Sequence, residues 1–207
     1  MKLRWPKLYV YSTFIVFSIM FTGCGRTSYS KRTYILDAAR QPEPGQAESH
    51  ATIDVRRFTI DSAFADKGFV YRRGEHEYES DFYNQFLISP AVMISETTRH
   101  WLCRSGICER VLVPGSRLES THTLEANITA LYADVRDKSS PSAVMELRAF
   151  LIANNNNDES VILGERYQAS CPLQSNTPEA FVEALDKCLA EILTSLEKDL
   201  KKELSPT

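Results

Sequence analysis

The chain has 207 residues, 43% of them hydrophobic, and its 24 Lys and Arg against 27 Asp and Glu give a formal net charge of −3. Its eight glycines are scattered, and no phosphate-binding glycine loop or Gly-x-Ser-x-Gly motif occurs, so we exclude an ATPase subunit and expect no enzyme. The acidic balance also disfavours a nucleic-acid partner.

The first 23 residues have the order of a secretory signal. Three cations precede an apolar run over 8–21, and two small residues then lead to Cys24. The apolar run is shorter than the roughly 20 residues that a helix needs to cross a bilayer. Residues 1–23 are therefore predicted to be a cleaved signal peptide. The alternative is an uncleaved signal anchor in which Cys24 is incidental.

Residues 21–24 (FTGC) resemble the bacterial lipobox, in which the cysteine receives a diacylglycerol before the signal peptidase cleaves in front of it. Phe21 stands where Leu is commonest. We predict a covalent lipid on Cys24, palmitate included, and a lipidated tether over 24–32. Two or three acyl chains anchor a protein stably, whereas one does so only reversibly.

The residue after Cys24 bears on the destination of the lipoprotein. In Gram-negative bacteria an Asp at this position commonly retains a lipoprotein in the inner membrane, and this chain has Gly25. We therefore expect the periplasmic face of the outer membrane. Cleavage removes three cations and leaves 21 Lys and Arg against the 27 acids. Residues 33–207 are predicted to form one domain.

The domain begins with short predicted strands. The first covers 34–36, and the second covers 52–60, with a bulge at Arg56 and Arg57 where its alternation breaks. A hairpin turning at Gly74 follows, and its two strands cover 69–72 and 77–86.

The rest of the chain predicts two amphipathic helices and four more strands. Ser89 and Pro90 open a helix over 91–103, and Thr177 opens a second helix that carries an apolar stripe from Phe181 to Leu200. The intervening strands are predicted over 110–113, 123–135, 144–153 and 161–169. The fold class is therefore α+β, an antiparallel-rich mixed sheet covered by two amphipathic helices.

Four cysteines follow Cys24, and an even number in an oxidising envelope favours disulfides. Cys103 and Cys108 enclose a short loop whose glycine permits a sharp reversal, so this pairing is preferred. Cys171 with Cys188 follows by elimination, although Cys188 falls within the predicted helix and could instead be simply buried. A zinc site is disfavoured because Cys-x-x-Cys spacing and nearby histidines are lacking.

One polar cluster could be drawn as an acid–base or metal site, namely His76 with Glu77, Glu79 and Asp81. On a strand His76 and Glu79 point to opposite faces, so we favour a solvated rim. We expect no catalytic residue, no metal and no cofactor beyond the lipid.

The aromatic strand over 77–86 has two interpretations, core packing and a docking surface. Tyr78, Phe82 and Phe86 share a face and are expected to pack, whereas Tyr83 lies opposite and is the predicted partner contact.

Four segments carry a resemblance to a known family, and they are 34–37 (YILD), 78–86 (YESDFYNQF), 89–94 (SPAVMI) and 131–137 (LYADVRD). In their order and their residues, these segments resemble the ABC-type transport auxiliary lipoproteins, which include the paraquat-inducible protein C-like components of MCE transport systems. The resemblance implies an accessory lipoprotein that works with a periplasmic MCE-domain protein, a permease and an ATPase in moving phospholipid between membranes. It also implies rings of several copies.

Two other functions compete with this interpretation. One is a generic envelope interaction lipoprotein, for example an activator of a cell-wall synthase, and the other, less favoured, is an envelope hydrolase.

Overall fold

The computed structural model describes residues 30–40, 49–155 and 158–205, and within these ranges it has nine strands and two α-helices. The strands are β1 (Arg32–Tyr34), β2 (Thr52–Val55), β3 (Thr59–Ile60), β4 (Gly68–Arg72), β5 (Tyr78–Phe86), β6 (Arg110–Val111), β7 (His122–Asp134), β8 (Ser142–Asn155) and β9 (Asp158–Pro172). The helices are α1 (Pro90–Ser105) and α2 (Pro178–Leu204). The predicted α+β class, with a mixed sheet and two helices, is confirmed.

Strands β7, β8 and β9 form an antiparallel meander with the longest ladders of the sheet. One face of each strand is apolar, as the alternating sequence predicts, and Leu124, Leu151 and Leu163 lie side by side across the three strands. This face is buried because α2 packs against β8 and β9. The core therefore lies between the meander and the helices.

The other edge of β7 pairs in succession with β2, β3 and β4, all parallel to it. The predicted single strand over 52–60 is two strands in the structure, because the chain leaves the ladder at 56–58 and turns Phe58 into the core. Arg56 still donates its backbone N–H to Leu124 over 3.0 Å, so the interruption is local. The sheet then continues through the predicted β4–β5 hairpin to β1, which pairs in parallel with β5.

Each helix begins at a proline and has an apolar side toward the core. The hydroxyl of Thr177 accepts a hydrogen bond from the N–H of Ala180 and caps α2, as predicted. Ser89 precedes α1, but its side chain makes no capping hydrogen bond, and its carbonyl accepts the N–H groups of Val92 and Met93 instead. Helix α1 ends at Gly106, whose φ of 71° lies in the left-handed region that glycine adopts without strain.

The segment after β1 crosses the helices rather than extending the sheet. The predicted strand over 34–36 is therefore shifted to 32–34, because Leu36 leaves the sheet and is buried. Asp37 donates its N–H to Asp186 Oδ1 over 2.8 Å. Arg40 binds both carboxylate oxygens of Glu197 at 2.9 Å, and Trp101 donates to the same carboxylate over 2.6 Å. We call residues 36–40 the strap.

The predicted signal peptide, Cys24 and the tether up to residue 29 lie outside the described residues. The signal peptide, lipid site and domain boundary therefore stay predictions. In the described part of the chain, neither helix combines the length and apolar character needed to cross a membrane.

Candidate functional site

A wide bulge interrupts the β4–β5 hairpin and shapes the surface beside it. Gly68 lies opposite Gln85, and Val70 lies opposite Ser80, so four residues of β5 face Phe69 alone. The bulge comes so close to β4 that a Cβ at position 68 would lie 2.8 Å from the backbone oxygen of Asp81. Only glycine fits position 68 without movement of the bulge.

Asp81 organises the four bulged residues. Its Oδ1 accepts the N–H of Tyr83 at 2.7 Å and that of Asn84 at 3.0 Å, while Oδ2 accepts the Asn84 side-chain amide at 2.8 Å. Burial alone would raise the pKa of Asp81, but these hydrogen bonds favour the carboxylate and lower the pKa below its usual value. Asp81 is thus an ionised turn residue that fixes the backbone of the bulge.

The bulge turns Phe82 and Tyr83 outward. Phe82 is 67% exposed and Tyr83 is 44% exposed, with their rings edge to face at 5.3 Å. The expectation that Phe82 packs in the core is wrong, because the bulge breaks the strand alternation on which it rested. Tyr78 is likewise 46% exposed, and its ring lies edge to face against Phe64 and Tyr132. Phe86 alone of the three is buried, in contact with the ring of Phe69.

A groove with a volume of about 580 Å³ opens beside the bulge, and we call it the aromatic groove. Asp81, Phe82 and Tyr83 line one side, and Thr177 and Pro178 at the start of α2 line another. Further lining comes from apolar residues and from two cations, and these residues are Val135, Pro141, Leu173, Arg73 and Lys138. The groove can therefore hold an apolar group while Lys138 meets a carbonyl or carboxylate.

The first strand is fastened to the start of α2 beside the groove. Arg32 and the Tyr34 hydroxyl both donate to Glu179 Oε1, over 2.9 and 2.8 Å. The Glu179 backbone N–H and the Tyr34 hydroxyl lower the pKa of Glu179 below its usual value. The ammonium of Lys31, one residue before β1, lies 4.2 Å from the centre of the Phe82 ring. The chain thus enters the domain against the aromatic groove.

The polar groups of the groove are engaged in contacts of their own. Arg73 pairs with Glu79, and Tyr71 donates its hydroxyl to Asp81 over 3.4 Å. Burial and the nearby Asp81 raise the pKa of Tyr71, so its hydroxyl stays protonated. Of the cluster drawn from the sequence, Glu79 and Asp81 are therefore committed to these partners. Among the described residues, no three His, Cys, Asp or Glu side chains gather as potential metal ligands.

The structure holds Cys103, Cys108, Cys171 and Cys188 as free thiols, so neither predicted disulfide is formed in it and both pairings stay predictions. Burial raises the pKa of Cys108 to about 11. The Cys171 thiol donates to Glu191 Oε1 over 3.8 Å, and the Cys188 thiol donates to the carbonyl of Ala143 over 3.4 Å, so both contacts join α2 to the meander. Burial also raises the pKa of both of these thiols, so none of the three buried cysteines is an activated nucleophile.

The model of the ABC-type transport auxiliary lipoprotein component matches residues 34–197. The chain belongs to this family. The resemblance inferred from four short segments is thereby confirmed. No match is found for this auxiliary lipoprotein among curated proteins.

Two crystal structures share the fold of the auxiliary lipoprotein. Protein XCC0632 from Xanthomonas campestris matches with a TM-score of 0.68 and 17% identity, over 84% of this chain and 95% of that one. An uncharacterised protein matches with a TM-score of 0.64 and 15% identity, over 83% of this chain and 99% of that one. At these identities the likeness establishes the fold alone.

The sequence identified Tyr83 but missed Phe82 and the opposite side of the groove. The signal for the bulge was present, because Asp81 and Asn84 have the spacing of a local turn in which the Asp side chain caps backbone N–H groups. The contribution of Thr177 and Pro178 depends on how α2 returns to the sheet, and no local pattern carries that information.

Proposed function

We propose that this auxiliary lipoprotein is a binding and assembly module of an ABC/MCE-type system that moves phospholipid between the two membranes of the envelope. A lipid on Cys24 holds it at the periplasmic face of the outer membrane. Its direct partner is the periplasmic MCE-domain protein, through which it serves the permease and the ATPase, and several copies can assemble as a ring. Family membership over 34–197 and the lipobox-like residues 21–24 support this proposal.

The observation that carries a binding role is the outward presentation of Phe82 and Tyr83 at the aromatic groove. Exposed aromatic side chains at a concave surface are typical anchors of protein interfaces, since each contributes a large apolar area and loses little conformational entropy. The hydrogen bonds to Asp81 fix the backbone that carries both rings before a partner binds. This reduces the conformational entropy lost on binding. The groove suits an apolar side chain of a partner loop or helix.

The groove favours binding over catalysis. Its carboxylates, Glu79 and Asp81, are paired or hydrogen-bonded, and Tyr71 keeps its proton. A general base needs a free acceptor within reach of a substrate proton, and a nucleophile needs such a base beside it. We therefore propose that the protein is not an enzyme.

Replacing Tyr83 with Ala tests the interface. We expect Tyr83→Ala to fold normally and to lower recovery of the MCE-domain protein about tenfold or more in a detergent pull-down, because an interface aromatic typically contributes 1 to 2 kcal/mol or more. Tyr78→Ala is the matched control, since Tyr78 is equally exposed but lies outside the groove lining. Its recovery should be unchanged.

The same pull-down separates the competing functions. Phospholipid that is recovered with the MCE-domain protein supports transport. Capture of a cell-wall synthase in place of the MCE-domain protein would support the generic interaction role. Equal recovery with Tyr83→Ala and with the unaltered chain would show that the aromatic groove is not the docking site.

A further inference from the structure

The exposed apolar side chains concentrate at one edge of the sheet. In the part of the chain that the structure describes, nine large hydrophobic side chains are exposed, and six of them are Ile35 or belong to residues 78–88. Three of the six are the aromatic residues of β5 already described. The other three, Ile35, Leu87 and Ile88, we call the aliphatic rim. They are 57%, 52% and 37% exposed.

The aliphatic rim lies where β1 and β5 end together. The N–H of Leu87 donates to the carbonyl of Tyr34 over 2.8 Å, which continues the parallel pairing and brings Leu87 beside Ile35. Ile88 follows directly, just before α1 begins. These residues contribute to no long ladder and to none of the aromatic contacts of the groove, so packing among the described residues leaves a large part of their surface exposed.

Lys67 places a cation at the aliphatic rim, with Asp66 next to it in the sequence. The ammonium of Lys67 donates to the carbonyl of Leu87 over 2.9 Å and thus lies at the rim itself. The sequence between Cys24 and Leu36 has three cations, Arg26, Lys31 and Arg32, and no acid. Arg32 is half-exposed even though it pairs with Glu179. Exposed apolar side chains beside a Lys match the interface of a bilayer that contains anionic lipids.

The length of the tether determines which part of the domain can reach the bilayer. Cys24 precedes the start of β1 at Arg32 by eight residues, which span at most about 28 Å when fully extended and about 15 Å as a flexible coil. A domain of this size is about 40 Å across. A lipid on Cys24 therefore keeps the β1 edge close to the membrane and lets the opposite edge, β9, stay away from it.

We propose that the aliphatic rim is a membrane seat, in which Ile35, Leu87 and Ile88 enter the interface of an anionic phospholipid surface and Lys67 contacts the headgroups. The seat rests on the lipid anchor of the proposed function. It converts a flexible attachment into a defined orientation, with the β1–β5 edge against the bilayer and the β9 edge turned toward the periplasm.

Photocrosslinking in vesicles tests the seat. The mature lipoprotein carries the photoreactive residue p-benzoylphenylalanine at position 87, or at position 161 as a control, because Val161 is as exposed as Leu87 and lies on β9. Vesicles contain phosphatidylethanolamine with phosphatidylglycerol. We expect phospholipid adducts at position 87 and about tenfold fewer at position 161, as detected by mass spectrometry, since photoreaction requires direct contact with lipid.

A variant of Lys67 tests how much its charge contributes to contact with the membrane. Lys67→Gln removes one cation from the rim, and its adduct yield at position 87 should fall about fivefold on anionic vesicles, the effect expected of one Lys near such a surface. On vesicles of phosphatidylcholine alone, the variant and the unaltered chain should give equal yields. A comparable loss on both kinds of vesicle would overturn the role of Lys67.

Several outcomes would overturn the seat. Equal lipid adducts at positions 87 and 161 would show a domain that moves freely on its tether. Adducts at position 87 to protein instead of lipid would show that a partner or second copy covers the rim. In both cases an intact mass that includes the diacylglycerol leaves the anchor standing. A mass without the lipid would overturn the anchor, and the seat with it.

Discussion

The two edges of the sheet use aromatic and aliphatic residues in opposite ways. In the meander of β7, β8 and β9, each ladder shifts its register only once, by one residue, and the apolar face stays buried under α2. In the hairpin of β4 and β5, a bulge breaks the alternation and turns Phe82 and Tyr83 to the surface. The same kind of residue stabilises the fold at one edge and is available for binding at the other. A long bulge that carries aromatic residues outward therefore marks the candidate site, whereas the short irregularities of the meander leave its buried face intact.

Truncation of a meander residue should have the largest effect on stability. Leu147 is fully buried and lies between Ile128 and Tyr167 in the register, so Leu147→Ala loses apolar burial and leaves a cavity. We expect a loss of about 3 kcal/mol in the free energy of unfolding, measured in urea. Leu87→Ala, at an exposed site, should change it by less than about 0.5 kcal/mol. Equal losses would remove the distinction between the two edges.

A variant that releases the strap tests whether residues 36–40 contribute to the stability of the domain. Glu197→Ala removes the acceptor that Arg40 and Trp101 share, and both donors would be left partly buried without it. We expect a loss of about 2 kcal/mol in urea unfolding. Glu203→Ala, at the exposed end of α2, is the control and should have little effect. An unfolding free energy unchanged by Glu197→Ala would show that the strap contributes nothing to the scaffold.

A substitution at Gly68, which the bulge of β5 approaches closely, should alter the bulge itself. Gly68→Ala places a methyl group against the backbone oxygen of Asp81, so the bulge must move. We expect a loss of about 1 kcal/mol in stability, together with weaker capture of the MCE-domain protein. Gly164→Ala is the control, because Gly164 lies on β9 and a Cβ there would make only ordinary contact with the Phe150 ring, at 3.4 Å. Gly68→Ala with full capture would separate binding from the bulge.

The contact between the strap and Asp186 is expected to make stability depend on pH. Burial raises the pKa of Asp186 to about 6, although the hydrogen bond from the Asp37 N–H opposes the shift. Because the unfolded value is lower, the folded state binds this proton more tightly, and the stability from this group falls as pH rises through about 6. Asp186→Asn keeps an acceptor for Asp37 and removes the dependence.

The measurement is urea unfolding at pH 5 and pH 7.5. Relative to Asp186→Asn, the unaltered chain should lose about 1 kcal/mol between these values, after allowance for solvent screening of a partly exposed group. Asp66→Asn, at an exposed loop position, should follow the unaltered chain. A dependence of the opposite sign would mean that Asp186 is ionised and stabilised in the fold.

Sequence patterns predicted the scaffold well because its forces are local or periodic. The alternation in residues 123–135 and the stripe from Phe181 to Leu200 reflect burial of one face, and Thr177 and Gly106 mark helix ends through their own backbone chemistry. Each of these signals is contained within a few residues. The family followed from the same elements in order, and the match over 34–197 confirms it.

The groove could be predicted only in part because it joins distant segments. Tyr83 was identified from strand alternation, but alternation gave the wrong orientation for Phe82, since four residues of β5 oppose one residue of β4. The other side of the groove, at Thr177, belongs to the start of a helix nearly one hundred residues further along the chain. The strap was missed for the same reason, because the Arg40 and Glu197 contact depends on the packing of both helices.

The parallel pairing of β2, β3 and β4 along β7 has a consequence for the order of folding. Ile53 pairs opposite His122, and Tyr71 opposite Ala133, so these strands have no neighbour on β7 until most of the chain has been made. The ladders of the meander, by contrast, join strands that follow one another directly in the sequence. Whether the chain emerges from a ribosome or a secretion channel, its first third comes out before the strand that receives it. The topology therefore requires that the first third of the chain be protected from misfolding and aggregation until β7 has emerged.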